Sequence, residues 1–159
     1  MLIYMQRMIL HYQKIIQKEL EQYSCSTIPN FILPKSLKVM NSELEKQLEE
    51  VYMSKESINP YLYAKDDPSL PKDHPKRTLM NRYNGYLNSD CFPKDSEMKF
   101  LYETEELLKF VSACLGVSPI FRWADPLACH AYNVMKPDGV LPWHFDSCEF
   151  TLSLMIQKS

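Results

Sequence analysis

His144 and Asp146, two residues apart in "GVLPWHFDSCEF", are the residues whose types and spacing could do chemistry. On a strand, residues i and i+2 face one side, so an imidazole and a carboxylate can reach one point while Phe145 packs behind them. With a third ligand from elsewhere, that pair is the donor set of a facial triad for non-haem Fe(II), which leaves positions open for other ligands. Four histidines in the chain make a chance His-x-Asp a roughly one-in-five event, so the tripeptide draws its weight from its surroundings. The Gly-containing turn Lys136-Pro137-Asp138-Gly139 precedes it, "LACHAYNVM" before the turn reads as a feeder strand, and an apolar run follows.

The elements that must position this pair are legible to different degrees. Met8, Ile9, Tyr12, Ile16, Leu20 and Tyr23 recur at three and four, predicting an amphipathic helix to about Gln22. Pro29 and Pro34 break it, and Phe31-Ile32-Leu33 fits a short strand or an extended lead-in. Ser36 is the expected N-cap of a second helix with Leu37, Met40, Leu44, Leu48 and Val51 on one face. Residues 54 to 96 carry Pro60, Pro68, Pro71, Pro75, Asn84-Gly85 and Pro93 without periodicity, and read as either a functional loop layer or a mobile one. A third helix is expected from near Ser96 or Thr104 to Cys114, closed by Gly116. The period then changes to two, so the fold class is α+β, with helices in front and a sheet starting only near the end.

The 159 residues are one domain's worth, and 45% hydrophobic with 24% charged residues is ordinary for a globular chain. A net charge of −2 with interspersed signs gives no electrostatic reason to expect nucleic acid. Five cysteines, an odd number without a Cys-x-x-Cys pair, fit reduced thiols and a cytoplasmic location. The apolar opening is interrupted by Gln6, Arg7, His11, Gln13 and Lys14, so neither a leader nor a membrane span is expected.

The stretch "RWADPLACHAYNVMKPDGVLPWHFDSCEFTLSLMIQ" resembles the Fe(II)/2-oxoglutarate-dependent oxygenases, closest to the HalD/BesD-type halogenase/hydroxylase branch. Members of that branch carry a strand, a Gly turn, Trp-His-Phe-Asp or Trp-His-Phe-Gly, then Glu-Phe and a Leu-rich strand ending in Gln. "FILPKSLKVMNSELEKQLEE" is similar to the opening strand and helix, so the likeness covers about residues 30 to 159. It implies N-terminal helices packed on a double-stranded β-helix (jelly-roll) core. Residues 1-24 would be the amphipathic helix and 25-159 the N-terminal portion of the oxygenase domain. The resemblance makes His144 and Asp146 the first two iron ligands, with 2-oxoglutarate as cosubstrate. A halogenase has Gly or Ala in place of that carboxylate, so Asp146 implies a hydroxylase. Asn133 matches an Asn-x-Tyr of the alkylation-repair dioxygenases whose side chains contact 2-oxoglutarate, with Met135 in the Tyr place. The implied substrate is a small molecule, amine- or carboxylate-bearing, such as a free amino acid.

The family also uses a distal histidine as third ligand and an arginine for the distal carboxylate of 2-oxoglutarate. Neither type occurs in the thirteen residues after Asp146. The expectation is a C-terminally truncated domain with the second half of the barrel absent, impaired activity, and self-association through the open sheet edge. The alternative is a non-catalytic remnant or binding module of the same fold. Among other residues, Trp143 and Phe145 are expected in the core, Ser147 and Glu149 in solvent, and Cys148 as an ordinary small side chain. His130 has the opposite parity to Asn133 and is expected to be a core or surface histidine and not a third ligand; Arg122 and Asp125 either serve a charged substrate or pair with each other and cap the turn at Pro126. Arg82 and Tyr86 lie where substrate contacts of the family tend to arise.

Overall fold

A computed structural model describes residues 2–158, with side chains from Tyr12 onward; the expected pattern at Met8 and Ile9 therefore lies outside the described residues. Helix α1 runs Leu2–Tyr23, and Ile16 reaches the core while Gln17 Nε2 donates to Ala113 O at 2.9 Å. Helix α2 is Pro34–Glu45, so the chain enters it at Leu33 and not at Ser36. Proline needs no backbone N–H at the first helical position and its φ is preset, which outweighs the serine cap. The helix also stops short of Val51: a 3-10 turn, Leu48–Glu50, leads into strand β1, Tyr52–Ile58.

The expected loop layer is thus corrected, because it contains most of β1 and a second whole strand. Strand β2, Met80–Leu87, pairs antiparallel with β1 from Tyr52↔Tyr86 to Ile58↔Met80. Asn84-Gly85, which looks like a turn signal, sits mid-strand. A Cβ at Gly85 would lie 2.5 Å from Val51 Cγ1 and 2.8 Å from Met53 Sδ, so glycine lets these side chains cross the strand. The intervening segment is organised by Asn59, whose Oδ1 accepts from Tyr61 N (2.9 Å) and Tyr63 N (3.2 Å) while Nδ2 donates to Lys76 O (2.8 Å). Arg77 Nε donates to Asp66 at 2.8 Å, and this bond holds the Asp66 carboxyl below its usual range.

Both expected starts of the third helix are real, because there are two helices. Ser96 caps α3, Glu97–Glu103, and Thr104 caps α4, Glu105–Leu115, each accepting a bond from the first turn. Gly116 ends α4 at φ 69°, the left-handed position that favours glycine. Both carboxylate oxygens of Glu43 on α2 accept from Glu97 N (3.0 and 3.1 Å), joining α2 to the start of α3. No helix among the described residues is long and apolar enough to cross a membrane.

Strand β3, Tyr132–Val134, pairs with β2 and completes an antiparallel sheet in the order β1-β2-β3. The fold is therefore α+β. One sheet face carries Leu87, Tyr132 and Val134 onto the helices, where Tyr132 stacks on Phe92 (4.7 Å) and Phe31 meets Phe110 (5.5 Å). Phe31 belongs to an extended lead-in and not a strand.

The expected hairpin at Lys136–Gly139 is corrected too. Val134 pairs with Gly85 and Val140 pairs with Tyr83, so both flanks of the turn lie on the same edge of β2. The turn is an excursion from one edge line, closed by Gly139 N donating to Lys136 O at 2.8 Å. Residues 141–158 form no strand, contrary to the period-two reading. Ile156 nevertheless enters the core, held by Asn41 Nδ2 donating to Ile156 O (2.9 Å), while Met155 is 78% exposed. Phe150 and Leu152 are exposed as well, as expected for this stretch, whereas Leu154 packs against the core beside Ile156.

Met40 and Leu87 are fully enclosed, so truncation to alanine leaves a cavity. Urea unfolding should show losses of about 2–5 kcal/mol for Met40→Ala and Leu87→Ala. The exposed neighbour Val39→Ala should change stability by less than about 0.5 kcal/mol.

Candidate metal centre

The segment carrying His144 and Asp146 is fixed at both ends by backbone bonds to the sheet and its connecting segment. Tyr83 and Val140 exchange N–H···O bonds of 2.8 and 2.7 Å, and Phe145 N donates to Pro60 O at 2.8 Å. The Phe145 ring rests on Tyr61 at 5.2 Å. His144 Nδ1 lies 2.8 Å from Pro142 O. A carbonyl can only accept, so Nδ1 carries a proton and Nε2 is the ring atom turned to Asp146. That Nε2 lies 3.4 Å from Asp146 Oδ1, with the two side chains 25% and 45% exposed. Asp146 Oδ2 is occupied by the Thr151 hydroxyl, which donates to it at 2.6 Å.

Nε2 and Oδ1 therefore face each other. A proton on Nε2 would make this contact an ion pair, and a metal ion between the two atoms would take both as ligands. A separation of 3.4 Å can be spanned by an ion about 2.1 Å from each atom. Imidazole with carboxylate suits Fe, Zn or Mn. The residues fit the first two positions of such a site. Among the described residues no group of three His, Cys, Asp or Glu side chains converges. The pair comes together in an irregular segment, not by the strand alternation that made it noticeable.

Asn133 is not in this cluster. It is exposed on β3, opposite Tyr86, and its Oδ1 accepts from Asn84 Nδ2 at 3.2 Å. Asn84 belongs to a hydrogen-bonded row on the sheet face opposite the helices, built by alternate residues of β2 and their partners. Ser54 Oγ donates to Glu56 (2.9 Å), Arg82 NH1 lies 3.4 Å from Glu56, and Arg82 Nε donates to Asn84 Oδ1 (2.7 Å). Arg82 NH2 donates to the Tyr86 hydroxyl, and the guanidinium also lies over the Tyr86 ring at 4.6 Å. Asn84 is 0% exposed, so its amide depends on these partners. The sequence places Arg82 and Tyr86 in a loop, whereas strand β2 is what aligns them in this row.

Trp143 and Phe145 contradict the expectation of core packing, at 88% and 61% exposure. The irregular backbone of 141–146 removes the buried strand face that would have covered them. Ser147 and Glu149 are exposed as expected, and Cys148 Sγ lies 3.4 Å from Thr151 Oγ1. All five cysteines are free; burial pushes the Cys114 thiol up to about 11. Arg122 is structural. It donates to Tyr102 O (2.8 Å), Thr104 O (2.7 Å) and Glu105 (2.9 Å), at the junction of α3 and α4. Asp125 accepts from Leu127 N at 2.9 Å, which caps the turn around Pro126. His130 packs on Tyr102 (5.5 Å) with its Nε2 buried and unpartnered, away from His144 and Asp146.

No family model matches the chain, and no solved structure matches it. Among curated proteins it is similar to Protein PATRONUS 1 of Arabidopsis thaliana, 32% identical over 97 residues, or 55% of this chain. That alignment covers 47% of the relative, so the chain spans about half the length of the curated protein it matches.

Burial lowers the His130 pKa below its ordinary 6.5, with Lys99 adding to the effect and Glu103 opposing it. The unfolded chain then binds the proton more readily, so stability is full above 6.5 and falls as the pH drops through that value. Thermal unfolding across this range should show the acid-side loss in the native chain and a smaller one in His130→Phe.

Proposed function

We propose that this chain is part of an Fe(II)/2-oxoglutarate-dependent oxygenase, a hydroxylase of a small amine- or carboxylate-bearing substrate such as an amino acid. The observation that carries the reading is the convergence of His144 Nε2 and Asp146 Oδ1, 3.4 Å apart with the far side of each group already hydrogen-bonded. His144 and Asp146 would hold the iron, which when bound supplies O₂ activation coupled to conversion of 2-oxoglutarate to succinate and CO₂. With iron bound, the carboxylate of Asp146 would fill the position that a halogenase leaves for chloride, so hydroxylation is the proposed outcome. Asn133 is the proposed contact to 2-oxoglutarate. Because its Oδ1 accepts from Asn84, its own amide N–H groups are left to donate to a carboxylate. The three strands and the edge line through Val140 would form part of a jelly roll. The free edge of β1 offers a route to self-association, and the reduced thiols fit the cytoplasm.

A second reading, a non-catalytic binding module of the same fold, is favoured by one observation: the described residues bring two metal donors together and not three. Succinate formation from 2-oxoglutarate with Fe(II) and O₂ separates the two. The oxygenase reading expects turnover that disappears in His144→Ala and Asp146→Ala. Turnover that survives His144→Ala would remove the metal assignment, and no turnover in the native chain favours the binding module.

A further inference from the structure

We infer that Thr151 is the positioning residue of the metal pair, setting which oxygen of Asp146 is presented to the ion; this rests on the metal reading above. A carboxylate rotates broadly about its last torsion, so either oxygen, or both, can turn toward a neighbour. Here the Thr151 hydroxyl holds Oδ2 at 2.6 Å, which leaves Oδ1 to face His144 Nε2 at 3.4 Å. The Thr151 proton is committed to Asp146, so Cys148, 3.4 Å away, is the donor in its contact with Thr151 Oγ1. Pro142 does the corresponding work on the histidine, where its carbonyl keeps the proton on Nδ1. Each metal-facing atom thus has its opposite end tied down, one by backbone and one by a side chain five residues on.

Thr151 is exposed, and so is Asp146. A hydrogen bond between exposed side chains contributes little to folding, because water replaces it when it breaks. Its consequence lies in the orientation of the carboxylate. Removing the hydroxyl should therefore weaken metal binding and leave the fold as it is.

Co(II) titration of the full chain, followed by visible absorption, tests this without any turnover. Asp146→Ala should abolish the signal. Thr151→Val should raise the Co(II) dissociation constant about 10–100-fold, the usual range for losing a partner that orients a ligand. Thr151→Ser, which keeps the hydroxyl, should recover most of that affinity with an unchanged thermal midpoint. Thr151→Ala removes the hydroxyl without adding a methyl and should behave as Thr151→Val, even if the valine chain folds poorly. Native affinity in Thr151→Ala overturns the inference while leaving the metal pair in place, and so does a serine variant as weak as alanine. Absence of Co(II) binding by the native chain, or binding that survives Asp146→Ala, overturns the metal pair and the role of Thr151 together.

Discussion

Strand β2 is bonded along both edges, and almost every other feature is referred to it. Its pairing with β1 places Glu56 opposite Arg82, and its pairing with β3 places Asn133 opposite Tyr86. Leu87 points into the helices and Asn84 into the polar row, so one strand divides an apolar side from a hydrogen-bonded one. The backbone of Tyr83 then receives Val140 and fixes where the segment with His144 starts. Moving this strand by one residue would send Leu87 into the polar row and Asn84 into the core. The buried amide of Asn84, which needs both its partners, opposes that slip.

The helices were legible because their signals are local. Ser96, Thr104 and Gly116 act within one turn of where they stand, and the three-and-four spacing of the apolar residues needs no partner. Strands β1 and β2 were not. "YMSKESI" and "MNRYNGYL" lack the run of β-branched residues that marks a strand, and Asn84-Gly85 has the composition of a turn. Gly85 is required by Val51, just before β1, and Met53 within it, side chains whose placement no local reading supplies. Pro34 displaced Ser36 at the start of α2 for the opposite reason, a covalent constraint prevailing over a hydrogen bond.

At the candidate centre, the residue types were legible and the geometry was not. His144 and Asp146 do meet, although strand alternation is not what brings them together. Thr151 carries no motif: a threonine five residues after an aspartate is unremarkable until the bend at 147–149 returns it to the carboxylate. Strand alternation would bury Trp143 and Phe145 together, and their exposure follows from the absence of a strand over 141–146.

The excursion at Lys136–Gly139 leaves the edge of β2 at Val134 and returns to it at Val140. A hairpin would have made its own length a determinant of where the following residues lie. This loop does not, because its two ends are bonded separately to the same strand. Val140 and everything after it take their position from Tyr83, and what happens between Lys136 and Asp138 is mechanically decoupled from the histidine beyond. Gly139 is the exception: a Cβ there would sit 2.9 Å from Lys136 O and 3.2 Å from Tyr83 O. The protein thus has a place where chain can be added or altered, and one residue beside it where it cannot.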